Sequence, residues 1–295
     1  MRYRDHELLI APARPGAALW RLVMGLIIAA TGYIALNQMF FQMVANSVAA
    51  TSPADLDFIF DGTSVRGMLI LLGTFGFMIL PLAVVARVMH MRGALTLLGP
   101  VPVLIRQFTQ VTVMLLLLGL AIFILPPWAM GGELTSNMAF GAWALLLPFS
   151  LIAVLVQVSA EELLFRGYLQ QQLAARFRSP LIWLVLPSGL FALGHYMPEE
   201  AGGNAMAVAI WAGVFGLLMA DITARAGSLG PAIAIHLYNN AMAMLVVAMP
   251  GDLSALALYH APFGLADEAQ VRAWLPVDFA HMIVAWLAAR LAIRR

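Results

Sequence analysis

Long apolar runs constrain the fold of this chain more than any other feature. Hydrophobic residues make up 62% of its 295 residues and charged residues only 11%, whereas soluble globular domains carry about 25% charged residues. A run of about 20 apolar residues lets one helix cross the hydrocarbon core, and in lipid such a segment has to satisfy its own backbone hydrogen bonds. The composition therefore predicts an all-α, polytopic membrane protein.

Eight of these runs are long enough to be spans, and we predict about eight transmembrane helices in one bundle. Residues 1–295 then form a single transmembrane domain. The first run is followed by Val48-Ala49-Ala50, which resembles a weak signal-peptide cleavage site. Its apolar core exceeds the roughly 7–15 residues of a signal peptide, which favours an uncut first span. The predicted spans are 19–44, 67–88, 101–125, 139–160, 180–197, 206–224, 229–249 and 276–293.

The arginines predict the orientation of the bundle. Of the 16 basic residues, all arginine, 14 fall at the termini or in alternate loops, whereas the opposite loops hold only Arg66 and Arg272. Those opposite loops also carry most of the acidic residues: Asp55, Asp57, Asp61, Glu133, Glu199, Glu200, Asp252, Asp267 and Glu268. The positive-inside rule then places both termini in the cytoplasm. We expect a multi-pass protein of a cell membrane, of the bacterial inner-membrane kind.

Composition also excludes several kinds of chemistry. The chain has no cysteine and no lysine, which rules out a thiolate nucleophile, a disulfide, a lysine Schiff base and a Ser-Lys dyad. The net charge of +1 gives no reason to expect a nucleic-acid partner. The expected partners are the lipid bilayer and a membrane-associated substrate.

Three polar clusters interrupt the apolar runs between residues 160 and 240. Ionisable groups at membrane depth cost about 2.5–3.5 kcal/mol each, so they usually face a polar cavity. Within each cluster the residues four positions apart share a helix face. We predict that three helices direct these side chains into one pocket. The clusters are Glu161-Glu162 with Arg166, Phe191 with His195, and His236 with Asn240.

The residue types in these clusters suit hydrolysis. Glu162 can pair with Arg166 one turn away, while Glu161 points about 100° round the helix and is free to act. A carboxylate beside a histidine can hold and deprotonate a water molecule, typically for a 10²–10⁴-fold gain in rate. A second histidine and an amide can donate hydrogen bonds to an oxyanion.

Each cluster also has a structural interpretation when taken alone. The glutamate pair could lie at the membrane interface, His195 could be an ordinary interfacial side chain, and His236 could hydrogen-bond to a neighbouring helix. We interpret Asp221 and Arg225 as a structural pair. The stretch 166–179 looks amphipathic and is predicted to continue the fourth helix towards the interface.

The depth of His195 poses a difficulty for a shared pocket. Glu161 is predicted near the end of its span, whereas His195 is about 22 Å along a helix that starts at Pro180. Three explanations stay open. The fifth helix could begin below the interface, Pro187 could bend it, or the fourth span could start later than predicted.

The three clusters resemble the motifs EExxxR, FxxxH and HxxxN of the CPBP family, the CAAX-processing and bacteriocin-processing intramembrane proteases related to the eukaryotic Ras-converting endopeptidases. The flanking residues 165–170, 188–191 and 227–233 are also similar to that family. The resemblance covers residues 150–245, the expected catalytic core. It departs from the family at Gly230, where many relatives have a bulky aromatic residue.

This resemblance implies an eight-helix fold with a polar cavity open to the cytoplasm, and a glutamate-dependent peptide hydrolysis without an obligatory metal. We therefore expect no cofactor. It implies that Glu161 and His195 activate the water and that His236 and Asn240 form the oxyanion site. Glu162, Arg166 and Phe191 would be supporting residues. The expected substrate is a membrane-associated or lipidated, CAAX-like peptide cut near its terminus.

Other functions remain open at this point. Two histidines and a glutamate could hold a catalytic zinc ion, although there is no HExxH motif. A non-catalytic scaffold or immunity-type protein could keep the same fold. A proton-coupled transporter could also use ionisable residues at this depth.

Overall fold

The computed structural model describes residues 3–49, 62–125, 132–251 and 253–295. Ala50 of the possible cleavage site and Arg2 of the predicted cytoplasmic set lie outside these ranges, as do the predicted loop residues Asp55, Asp57, Asp61 and Asp252. Within the described ranges nearly all regular structure is helical, and three strands have two residues each. The all-α prediction is confirmed.

Each predicted span corresponds to one helical segment. Among the described residues, six helices are long and apolar enough to cross a membrane, and Pro180–Gly194 is shorter. The chain is therefore a multi-pass membrane protein, and the count of eight spans stays a prediction. The segments are α1 Leu19–Ala49, α2 Val65–Val88, α3 Val101–Ile124, α4 Phe140–Arg176, α5 Pro180–Gly194, α6 Ala205–Ala226, α7 Gly230–Ala241 and α8 Glu268–Ile293.

Shorter elements join these helices. The helix α2 contains a 3₁₀ turn at Phe75–Met78, and α7 continues as a π-helix over Met242–Val246. The remaining short helices are the 3₁₀ segments Arg4–His6, Ala11–Gly16, Ala94–Leu97 and Gly202–Asn204 and the α-helical turns Glu7–Ile10 and Pro198–Ala201.

The last helix starts eight residues before the predicted span at 276. The Asp267 side chain accepts a hydrogen bond of 3.2 Å from the backbone N–H of Gln270, and a cap of this kind defines a helix start. Glu268 and Arg272 form an exposed ion pair in the first turn. Hydropathy did not predict this turn because it is polar.

The helix α4 is 37 residues long and confirms the predicted continuation beyond the fourth span. It changes from α-helix to π-helix over Leu163–Gln170. The prediction of an amphipathic stretch at the interface is wrong for this part. Gln170 and Gln171 are buried, and their amides donate to the carbonyl oxygens of Ala220 and Leu97 at 3.0 and 2.8 Å.

The N-terminal segment packs against the ends of α5 and α6. The Tyr3 hydroxyl donates to Asp221 Oδ1 at 2.7 Å, and Asp221 also pairs with Arg225 at 2.6 Å, which agrees with a structural pair. The His6 ring lies 4.7 Å from the ring of Trp183.

A small sheet joins three loops at the ends of the helices. Its strands are β1 Thr135–Ser136, β2 Val247–Ala248 and β3 Tyr259–His260. The strand β3 is central, antiparallel to β1 and parallel to β2. This sheet ties the start of α4 and the end of α7 to the segment before α8.

Small residues allow close helix packing where the site is built. A Cβ on Gly216 of α6 would lie 3.0 Å from the Ser188 Cβ of α5, and one on Gly230 would lie 2.4 Å from the Leu104 carbonyl oxygen of α3. Small residues at helix contacts are typical of membrane bundles. At position 230 this chain has no room for the aromatic residue of many relatives, because α3 approaches the backbone of α7 there.

Candidate active site

Glu162 lies at the centre of a buried polar network. Its Oε1 accepts a hydrogen bond from Arg166 Nη1 at 2.8 Å and another from His236 Nδ1 at 2.8 Å. The Glu162 side chain is fully buried, and Arg166 is 1% exposed. The predicted pairing of Glu162 with Arg166 is therefore present. The guanidinium offsets the charge of this carboxylate, which a low-dielectric interior would otherwise disfavour.

Glu161 points to a different part of the network, as its position on the helix predicts. Its side chain is 16% exposed, and its Oε2 lies 3.5 Å from His236 Nε2. This oxygen is buried and has no hydrogen-bond partner in the part of the chain that the structure describes. A buried carboxylate oxygen without a partner costs free energy unless a water molecule or a ligand satisfies it. Glu162 Oε2 is likewise buried without a partner among the described residues, but Glu162 is held by two hydrogen bonds at Oε1, whereas none holds Glu161 there. Glu161 is therefore the less constrained carboxylate of the pair.

His236 lies between the two glutamates, with one ring nitrogen towards each. A carboxylate oxygen can only accept, so the hydrogen bond to ionised Glu162 requires a proton on Nδ1. In a neutral ring the lone pair of Nε2 would then face the Glu161 oxygen. This contact would be repulsive, because both atoms are hydrogen-bond acceptors. The contact is favourable when one more proton is present, on His236 or on Glu161. This arrangement can hold and exchange a proton.

Phe191 connects the network to the second cluster. Its ring lies 5.0 Å from the guanidinium carbon of Arg166, 4.3 Å from the ring of His195 and 6.1 Å from the ring of His236. Arg166 Nη2 also donates to the Gly216 carbonyl oxygen at 3.3 Å. Phe191 and Arg166 thus hold α4, α5 and α6 together beside the glutamates.

His195 lies one residue beyond the last residue of α5, and its ring still lies on the side of Phe191, as the spacing predicts. It is the C-cap residue, and its Nδ1 is 2.8 Å from the Phe191 carbonyl oxygen. Because a carbonyl only accepts, Nδ1 carries the proton, and Nε2 of the neutral ring keeps its lone pair. No contact joins His195 to Glu161 within 4.0 Å in the described part of the chain.

The length of α4 resolves the difficulty of depth. Glu161 is not near a helix end, because α4 continues to Arg176, about four turns further. The helix α5 starts after this extension and runs back beside it, so that the rings of Phe165 and Phe191 are 5.1 Å apart. The two helices therefore bring Phe191 and Glu161 to similar levels, and the position of the start of α5 relative to the interface stays a prediction. One turn beyond Phe191, the chain has returned to about the level of Glu161.

Asn240 is held by two amides. Its Nδ2 donates to Gln157 Oε1 at 2.9 Å, and its Oδ1 accepts from Asn239 Nδ2 at 3.1 Å. One N–H of the Asn240 amide remains without a partner in these contacts. Gln157 is 5% exposed and lies one helical turn before Glu161.

Two neighbours of the site were missed by the sequence analysis. Gln157 had a signal, a polar side chain four residues before Glu161 inside an apolar run. Phe215 had none, since it resembles any core residue of α6. Its ring lies edge-on, 5.0 Å from the ring of His236.

The structure brings the first and third clusters into direct contact, because His236 lies against both glutamates. The second cluster adjoins them through the ring of Phe191. These residues are tightly packed, and Glu162 and His236 have 0% and 3% of their surface exposed. An opening towards the cytoplasm stays a prediction. Within the described ranges no three His, Cys, Asp or Glu side chains form a group that could hold a metal ion, so the zinc alternative gains no geometric support.

The fold and the site define a polytopic helical membrane protein with a buried glutamate–histidine centre. Residues 142–242 match the family described as Type II CAAX prenyl endopeptidase Rce1-like. This segment contains all three clusters, and the family resemblance drawn from the motifs is confirmed over it.

One curated relative is the "Uncharacterized protein YyaK" of Bacillus subtilis (strain 168), which is 35% identical over 99 residues. The match covers 32% of this chain and 32% of that protein. No solved structure matches this chain.

Proposed function

We propose that this protein is an intramembrane endopeptidase of the CAAX-processing type. The observation that carries the proposal is the contact of His236 with both glutamates, 2.8 Å from Glu162 and 3.5 Å from Glu161. A buried, charge-compensated carboxylate next to an unsatisfied one and an imidazole fits the activation of water. The family match over residues 142–242 supports peptide hydrolysis as the reaction.

The water molecule is held by Glu161 Oε2 and by Nε2 of His195. Glu161 takes one proton as the water oxygen attacks the carbonyl carbon of the scissile bond, with His195 as the second acceptor. General-base catalysis of this kind typically increases the rate 10²–10⁴-fold. The free lone pair on His195 Nε2 and the unpartnered oxygen of Glu161 support these roles.

The oxyanion is stabilised by His236 and by the free N–H of Asn240. His236 donates through Nε2 when it carries the extra proton of its contact with Glu161. As the tetrahedral intermediate collapses, the C–N bond breaks and the departing amine takes the proton that Glu161 received from the water. Preorganised donors of this kind are typically worth about 10²–10³-fold each.

Glu162, Arg166 and Phe191 position the reacting groups. Glu162 fixes the ring of His236 through Nδ1, and Arg166 holds the Glu162 carboxylate in place through its hydrogen bond to Oε1. Phe191 packs against both histidines. The catalytic core is the part of the single domain from 150 to 245, and the site needs neither a cofactor nor a metal.

The substrate is a membrane-associated peptide or the terminal segment of a lipidated protein. The site is buried within the bundle, so a substrate has to reach it from the bilayer or through a cavity open to the cytoplasm. Both termini lie in the cytoplasm in this arrangement, which follows from the arginine distribution.

Cleavage of a membrane-anchored peptide library in detergent tests the proposal. Wild type is compared with Glu161→Gln and with Glu200→Gln, an exposed glutamate outside the network, each with and without a chelator. Loss of cleavage in Glu161→Gln alone, unaffected by the chelator, supports a glutamate peptidase. Loss on chelation favours the zinc protease. A Glu161→Gln variant that cleaves like wild type contradicts the proposal.

A further inference from the structure

A groove on the outer surface of α3 combines a charged end with an apolar floor. Its volume is about 550 Å³. Arg106, Thr109 and Gln110 form the polar end, and Val113, Met114 and Leu117 continue along the same helix face. Ala292 of α8 forms the opposite side, and its small side chain leaves the space open. The groove does not include any residue of the candidate active site.

Arg106 has no counter-charge in this position. It is exposed and forms no ion pair or side-chain hydrogen bond within the described ranges. It is also the one charged residue in α3, and the acidic residues of α8, Glu268 and Asp278, are about 21 Å or more from Ala292 along that helix. A bound anion would supply the missing counter-charge for Arg106.

The length of the groove indicates the size of the ligand. Arg106 and Leu117 are separated by about 16 Å of helix at 1.5 Å per residue, and one leaflet of the hydrocarbon core is about 15 Å thick. A cation at one end and an apolar floor one leaflet long are complementary to one phospholipid with an anionic headgroup. The side-chain amide of Gln110 at the polar end can donate to phosphate oxygens, whereas the Thr109 hydroxyl already donates to the Ile105 carbonyl oxygen at 3.0 Å.

We propose that this groove is a binding site for a single anionic phospholipid. The phosphate lies against Arg106, Thr109 and Gln110, and one acyl chain lies along Val113, Met114 and Leu117. The bound lipid fills the space between α3 and α8 and links the two helices. This site is independent of peptidase activity, so it stands or falls separately from the proposed function.

Native mass spectrometry of the purified full chain in detergent tests the site directly. Phosphatidylglycerol and phosphatidylcholine with identical acyl chains are added in parallel, and soluble glycerol phosphate serves as a headgroup without a chain. We expect phosphatidylglycerol adducts on wild type, fewer phosphatidylcholine adducts, and no adduct with glycerol phosphate. Equal binding of the two lipids would overturn the role of Arg106.

Two pairs of variants distinguish lipid binding in this groove from non-specific lipid binding elsewhere on the protein. Arg106→Gln should weaken phosphatidylglycerol binding about fivefold, the contribution typical of one basic residue near an anionic surface. Arg87→Gln makes the same charge change at another exposed position and should leave binding unchanged. Equal losses in these two variants would indicate a non-specific charge effect and would overturn the proposal.

The second pair tests the apolar floor. Leu117→Trp fills the groove, whereas the adjacent Leu116→Trp does not, and the two leucines are 57% and 60% exposed. Adducts should decrease in Leu117→Trp alone. Unchanged binding in Leu117→Trp contradicts the proposed path of the acyl chain. If Leu117→Trp does not yield folded protein, the Arg106 and Arg87 pair still decides the question.

Discussion

Arg166 and His236 bond to the same oxygen of one carboxylate. Each approaches Oε1 of Glu162 to 2.8 Å, one from the same helix and one from α7. This single buried oxygen therefore accepts a hydrogen bond from the guanidinium that compensates the charge of Glu162. It accepts another from the imidazole ring that also faces Glu161. In the proposed mechanism, stability and reactivity at this site depend on the same atom, and substitutions around it should affect the two properties in separable ways.

Replacement of Arg166 by leucine should be strongly destabilising. Removal of one partner from a buried ion pair leaves an uncompensated charge and typically costs 3–5 kcal/mol. Arg272→Leu is the matched control, because its pair with Glu268 is 64% and 51% exposed and should contribute less than about 1 kcal/mol. Denaturant titration of both variants in micelles measures the difference, and similar losses would contradict the assignment.

His195→Gln should lose cleavage activity without losing stability. The side chain is partly exposed, and its one hydrogen bond goes to a carbonyl in the preceding turn. We expect the rate to decrease by about 10²–10⁴-fold with little change in melting temperature. Full activity in the folded variant would remove His195 from the proposed mechanism.

Gln157→Leu should lower kcat more than it changes KM. Gln157 orients the Asn240 amide, and a lost buried partner costs about 1–3 kcal/mol, or roughly 5- to 150-fold in rate. Ser150→Ala is the control, since Ser150 is a buried polar residue of the same helix that bonds to the Leu146 carbonyl alone. A raised KM with unchanged kcat would instead indicate a role in substrate binding.

Gly230→Ala should destabilise the bundle, whereas Gly189→Ala should not. The added Cβ at 230 would lie 2.4 Å from a backbone oxygen, while at 189 it meets no atom within 4 Å. Within a helix, alanine is otherwise favoured over glycine by about 0.5–1 kcal/mol. Melting temperatures of the two variants should therefore move in opposite directions, and a neutral Gly230→Ala would contradict the close approach of α3 and α7.

Acidification should weaken the packing of the N-terminal segment. Burial lowers the pKa of His6 from 6.5 to about 4, so the unfolded chain binds a proton that the folded chain excludes. Stability is complete above about pH 6.5 and decreases as the pH falls to about 4, by about 3 kcal/mol at most.

The variant His6→Phe should show a shallower pH dependence of unfolding over the same interval. Some slope should remain, because burial also lowers the pKa of His90. An unchanged slope in His6→Phe would show that His6 does not contribute to it.

The sequence predicted the helices and the pairing within the first cluster because both depend on local spacing. The approximate position of each span follows from apolar run length, and the Glu162–Arg166 pair follows from one helical turn. The identity of the residue beside Glu161 could not be predicted in this way, since it depends on how α4 and α7 pack.

The course of α4 beyond Glu162 was only partly predictable. Polar residues such as Gln170 and Gln171 usually indicate an exposed face, but here their amides satisfy backbone carbonyls of other segments. The π-helical turns after Glu162 and Asn240 leave no pattern in the sequence, and such turns are frequent at functional sites. The position of His195 at the end of α5 could not be predicted either, because it depends on where the backbone hydrogen bonding of the helix ends.

The shortness of α5 has a consequence for the membrane itself. With 15 residues it is about 22 Å long, several ångströms less than the hydrocarbon thickness of about 30 Å. Lipids next to a helix that is too short adapt by local thinning. Local thinning of this kind beside α5 shortens the path from water to His195 relative to a bilayer of full thickness.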